Sequence, residues 1–203
     1  MKNYLIGWSI CLVSGSGICL FGQSAEQKPI IKDKSPDGKF ALQIIKREEI
    51  GWEAALISLK DKAGVVELEV YQNQGDSFIK QGRLVWSKDS QEVAYFEPDR
   101  KGGSTHVYFR KKSEFEEVDL PELPKCKVAA SSGESYVSTD DSRTKPVKWL
   151  SSDALVLNVE STNWMEKEEG GDQLGRTCSQ DVTITFDANH KASVKSVKRV
   201  KSH

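Results

Sequence analysis

VWSKDSQEVAYF, residues 85–96, holds the pattern on which the fold turns. A tryptophan comes first. A serine and an aspartate then lead into a polar corner, and an apolar run follows. Asp or Ser at the start of such a corner bonds backbone donors two residues on. The corner lets two neighbouring antiparallel strands meet without splaying. The tryptophan is expected to pack on an adjacent sheet, and the apolar run to fill the core.

Related corners stand on either side. Upstream is PIIKDKSPDGKFALQIIK (29–46), followed by WEAALISLKDKAGVVELEV (52–70). The middle block is RLVWSKDSQEVAYFEP (83–98) with THVYFRKKSEFEEVDL (105–120). Downstream is KPVKWLSSDALVLNVES (145–161) with QDVTITFDANHKASVKSV (180–197). Each block reads strand, tight polar turn, strand, variable loop, strand, short charged turn, strand. The runs are rich in Val, Ile, Leu and aromatics, several alternate apolar with polar, and turn residues bound them. No stretch carries a capped helical period. The expectation is therefore an all-β, antiparallel chain of about twelve short strands in three blocks, at about 29–71, 82–120 and 145–200. Segment 125–145 is the least regular part and reads as a loop or one more hairpin.

Trp86-Ser87-Lys88-Asp89-Ser90-Gln91-Glu92-Val93-Ala94-Tyr95 resembles the W-S-P-D-G-K-x-I-A-F corner of TolB-type β-propeller blades. Ser35-Pro36-Asp37-Gly38-Lys39 resembles the same corner without its tryptophan, and Trp149-Leu150-Ser151-Ser152-Asp153 is a degenerate version. The resemblance implies four-stranded blades used as binding platforms, and it carries no catalytic residues. Closed propellers have four to eight blades, and three blocks are too few. The alternatives are an incomplete propeller-like stack, a β-sandwich or distinct barrel, or a ring completed by a unit from another chain.

The bulk numbers exclude some classes. The 203 residues suffice for one domain with a sizeable core. Lys+Arg is 29 against Asp+Glu 30, a net charge of -1, so nothing draws the whole chain toward nucleic acid or an anionic membrane. Residues 1–24 have the layout of a secretory signal peptide: Lys2, then an uncharged apolar stretch, then small Gly22 and Ser24 before a cleavage point. A retained anchor is the rival reading. The expected domain is 25–203, exported to a periplasmic or extracellular space, with no later stretch able to span a bilayer. Two cysteines then remain, Cys126 and Cys178. In an oxidising compartment the pair reads as a disulfide, with two separate buried thiols as the alternative.

No serine elbow, H-E-x-x-H motif or phosphate loop is present, and the three histidines show no metal-ligand spacing with the cysteines. No catalytic residue, metal or other cofactor is expected, and a hydrolase with an unrecognised site is one alternative. The loops after each block's second strand are expected to share one edge: 47–52 with Trp52, 97–103 with Arg100, and the long 161–177 with Trp164, Glu168 and Asp172. Tryptophan beside mixed charge on a sheet scaffold suits a protein or glycan partner. The leading expectation is an exported, non-enzymatic binding or scaffold protein of the cell envelope using those residues. Ser132-Gly133-Glu134-Ser135-Tyr136 also resembles the S-G-x-x-Y loop of periplasmic lysozyme-inhibitor families. That resemblance implies the other alternative, a secreted enzyme inhibitor acting through residues 131–136, with Ser132, Gly133 and Tyr136 at the contact.

Overall fold

The computed structural model describes residues 28–47, 51–71, 79–99, 102–167, 169 and 171–200. The expected leader at 1–24, Arg100 and Glu168 lie outside the described residues. The chain is all-β. The first sheet holds β1 (Ile30–Lys32), β2 (Phe40–Arg47), β3 (Gly51–Ser58) and β4 (Gly64–Tyr71), in spatial order β1-β2-β3-β4. The second holds β5 (Arg83–Trp86), β6 (Glu92–Glu97), β7 (Ser104–Lys111) and β8 (Glu114–Val118), again in chain order. The third holds β9 (Ser135–Ser151), β10 (Ala154–Glu166), β11 (Gln173–Phe186) and β12 (Ala192–Arg199), in order β12-β11-β10-β9. Every pairing between strands is antiparallel.

The three sheets correspond to the three sequence blocks, with one difference. The third starts at Ser135, ten residues before the expected boundary, because β9 runs through the polar stretch SYVSTDDSRTK. The same sheet turns the expected long loop 161–177 into paired strand on both sides: β10 continues to Glu166 and β11 begins at Gln173.

The second sheet lies between the other two. Leu42, Ile44, Ala54 and Leu56 of the first sheet pack on Leu84, Val93, Tyr95, Tyr108 and Phe115 of the second. On its opposite face, Ala94, Val107 and Phe109 meet Trp149, Leu155, Leu157, Val182, Ile184 and Phe186 of the third. Alternate residues of β6 therefore serve two different interfaces, which explains its nearly unbroken apolar run.

The corners work as their chemistry dictates. Asp37 accepts the Ser35 hydroxyl at 2.6 Å and the Lys39 N–H at 3.1 Å. Asp89 repeats this with Ser87 at 2.7 Å and the Gln91 N–H at 3.2 Å. The position with φ near +70° is Gly38 in the first corner. Its counterpart Ser90 takes φ 63° and accepts the Asp37 N–H at 3.0 Å, which ties one corner to the next. Each tryptophan reaches back to the sheet before it. Trp86 donates its indole N–H to the Asp33 carbonyl at 2.8 Å, and Trp149 donates to the Val85 carbonyl at 3.0 Å. Lys34 holds the corresponding place in the first corner. No described sheet precedes that corner, so the packing role is missing there.

Candidate functional site

The second and third sheets last touch where Gly103 bridges Arg143. The Thr144 N–H donates to the Gly103 carbonyl at 3.0 Å, and the Thr105 hydroxyl donates to the Thr144 carbonyl at 2.7 Å. Gly103 sits at φ +116°, and a Cβ there would lie 2.3 Å from the Glu97 carbonyl oxygen, so only glycine permits this approach. Arg143 is paired with Glu160 across β9 and β10. From Glu160 to Glu166 the ribbon runs on past the second sheet for about 20 Å at the usual strand rise. We call this extension the arm.

A strap of chain between β8 and β9 takes the place of the missing sheet on one face of the arm. The three buried polar side chains there each meet strap backbone. Ser161 accepts the Cys126 N–H at 3.1 Å. Asn163 accepts the Val128 N–H at 3.3 Å and donates to the Cys126 carbonyl at 3.2 Å. Gln180 donates to the Pro124 carbonyl. The Cys126–Cys178 disulfide joins strap to β11. Buried polar groups are tolerated only when paired, and these pairings fix where the strap lies. Beyond the bridge, Arg176 donates to the Ser131 hydroxyl at 2.9 Å and to Glu134 at 2.8 Å, which braces the turn at 131–134.

The arm gathers most of the expected site residues. Trp164 lies on the face opposite the strap. Its ring covers Gly175, where an added Cβ would stand 3.0 Å from Cζ3. Its N–H donates to Asp140 at 2.9 Å. Asp172 is exposed in the arm's terminal turn, beside a cavity of about 250 Å3 lined by Lys167, Gly171 and Leu174. Ser132 and Gly133 are exposed at the braced turn, with Gly133 at φ +81°. Tyr136 is 46% exposed, its hydroxyl 2.7 Å from that of Thr139 and its ring 5.8 Å from the Lys127 ammonium. Leu174 is equally exposed. Trp52 does not join them. It is 6% exposed in the core between the first two sheets, so it has no free face for a partner. The expected loop 47–52 gives way at Gly51 to β3, whose register points Trp52 inward.

A second cluster sits at the loop end of the middle sheet. The two ring nitrogens of His106 are each 2.8 Å from a carboxylate, Nε2 from Glu97 and Nδ1 from Glu117. The hydrogen bond to Glu97 and then that to Glu117 outweigh burial and push the imidazole up to about 9. At neutral pH both nitrogens are therefore donors. Although Ser104 Oγ is 3.3 Å from Nε2, a doubly protonated ring cannot take its proton, so the pair is no nucleophile and base. Because the folded value lies above the unfolded one near 6.5, the stabilisation is complete below that value and is lost as pH rises through 9. His106→Gln is expected to lower the melting temperature at pH 6 and to match the parent at pH 10. Thermal unfolding at the two pH values checks this.

No family model and no curated protein matches this chain. Among solved structures, it is similar to a putative TolB from Agrobacterium tumefaciens, with a TM-score of 0.33 and 10% identity, covering 88% of this chain and 61% of that one. It is also similar to TolB from Acinetobacter baumannii, with a TM-score of 0.31 and 9% identity, covering 84% and 43%. The chain thus spans less than two thirds of the length of either structure.

Proposed function

We propose that this is an exported, non-enzymatic binding protein of the cell envelope that engages a protein partner with the arm of its third sheet. The observation that carries the reading is the arm itself. It extends beyond the sheet stack, it is pinned by a disulfide and buried hydrogen bonds, and it shows Tyr136 and Leu174 to solvent beside a half-buried, seated Trp164. Rigid aromatic anchors on an ordered scaffold lose little entropy on binding. The leader-like residues 1–24 and the disulfide support export.

A photo-crosslinking residue at position 174 is expected to give a discrete cross-linked product in the producing cell. The same residue at position 60, in the turn after β3, is expected to give none. Trp164→Ala is expected to diminish the product at 174 while the protein still unfolds in a cooperative transition. Equal labelling from both positions, or none from 174, overturns the reading.

A further inference from the structure

We infer that the open edge of β11, from Gln173 to Ser179, is a site for β-strand addition by an extended peptide segment of another protein. This deepens the proposed function, for it names the chemistry by which the arm would hold a partner.

Among the described residues the edge is open by pairing. β12 covers β11 only from Gln180 to Phe186, and the last link is the Val200 N–H donating to the Ser179 carbonyl at 3.2 Å. Backbone groups alternate along a strand. The N–H and C=O of Thr177 and Gly175 therefore point to the same side as the Ser179 carbonyl. Among the described residues none pairs with them there.

The other terminal strands carry the devices that block edge pairing. β1 has three residues and follows Pro29. β4 has two register shifts against β3, with Glu67 and Glu69 along it. β5 has only four residues, and β8 has five, three of them glutamates. β9 has four register shifts and Pro146. β12 bears Lys195, Lys198 and Arg199 and shifts register once. The open stretch of β11, QLGRTCS, has no proline and no lysine, and its register against β10 is unbroken over all thirteen pairs. Its one charge, Arg176, is turned to Ser131 and Glu134 of the strap. The disulfide at Cys178 holds the strand in place, so the edge is already formed for a partner.

A cleft of about 470 Å3 lies at the Arg176–Ser179 end of this edge, beside strap residue Val128 and Arg199 and Val200 at the end of β12. A segment entering it would run antiparallel to β11, in line with β12. Alternate side chains would meet Val128 on the strap face and Thr177 and Ser179 on the other. Arg199 bonds the Lys127 carbonyl through one nitrogen at 3.0 Å, and Lys198 is beside it, so an acidic residue suits the segment's N-terminal end.

The test uses the acetylated, amidated peptide EVTVEVT and the full chain labelled with nitrogen-15. Titration is expected to shift the amides of Gly175 and Thr177 with saturable, micromolar binding. Thr177→Pro removes an N–H that faces the open edge and not β10, and should weaken binding at least about tenfold. The peptide N-methylated at its β11-facing residues should weaken by a similar factor with the unaltered protein, whatever the variant does to folding. No saturation at about 1 mM peptide, or equal affinity for the methylated peptide, overturns the inference. So does self-association of the protein that Thr177→Pro abolishes, which would give the edge to a second copy. Cross-linking from position 174 without peptide binding would sink this inference alone. Peptide binding without cross-linking would sink the proposed function alone.

Discussion

Replacing both Cys126 and Cys178 by serine is expected to lower the free energy of unfolding by about 4 kcal/mol. The pair closes a loop with a sequence separation of 52, and cross-linking a loop of that size removes about this much chain entropy from the unfolded state. The loss should be felt unevenly. Beyond Leu120 and Leu123, which pack on the core, the strap's backbone is held by Ser161, Asn163 and Gln180. Amides of residues 124–134 are therefore expected to exchange with solvent well before those of β6 or β7. Urea unfolding and hydrogen exchange on the double variant check both statements. A change under 1 kcal/mol would show that the strap's hydrogen bonds hold it without the cross-link.

Replacing Glu92 by glutamine is expected to stabilise the protein at pH 8 by up to about 3 kcal/mol, and by little at pH 4. The reason lies in how the blocks differ. The Ser35 N–H donates to the Phe40 carbonyl, and the Ser87 N–H donates to that of Glu92, so Glu92 stands where Phe40 stands. Likewise the Arg110 and Phe186 amides make equivalent links to Gln91 and Asp153. Between the first two sheets, the Arg110 guanidinium lies 4.7 Å over the Phe40 ring and 3.3 Å from Asp37. Between the second and third, the positions are exchanged: a carboxyl replaces the ring, and Phe186 replaces the cation. Glu92 is 6% exposed, and its Oε2 has no hydrogen-bond partner among the described residues.

Burial first, with Asp89 adding to it, pushes the Glu92 carboxyl up to about 7. The folded state thus binds the proton more tightly than the unfolded state. Stability from this group is greatest below the unfolded value near 4.5 and falls as pH rises to 7, above which the penalty is constant. An amide keeps the shape and never ionises. Urea midpoints of the two proteins should converge at pH 4 and part at pH 8. Parallel curves across that range would show the carboxyl to be hydrated.

Much of this architecture could be read from local chemistry. The Ser-x-Asp corners, the tryptophans before two of them and the period-two runs of β4 and β10 all act within a few residues. Each therefore leaves its mark in the sequence. The arm was harder to read, for a physical reason. Where β9 passes beyond the second sheet it buries little, so SYVSTDDSRTK shows no alternation of apolar and polar residues. The glycines and charges of 167–172 likewise mask the strands on both sides. Trp164 was legible as a candidate by type. Its seat over Gly175 depends on a pairing between residues eleven apart and could not be read. Trp52 has the same residue type and likewise stands near glycine and charge in the sequence, yet its strand register buries it.

By itself, the sequence determined an antiparallel all-β chain in three blocks, with packing tryptophans, bonded corners and two cysteines able to pair. Those features follow from side-chain type and short-range backbone geometry. Only the tertiary structure decided that the third sheet outreaches the second, that a strap covers one face of it, and that among the described residues β11 keeps an unpaired edge. Each of these depends on where one strand ends relative to its neighbour. That is a relation between distant residues, and no local pattern encodes it.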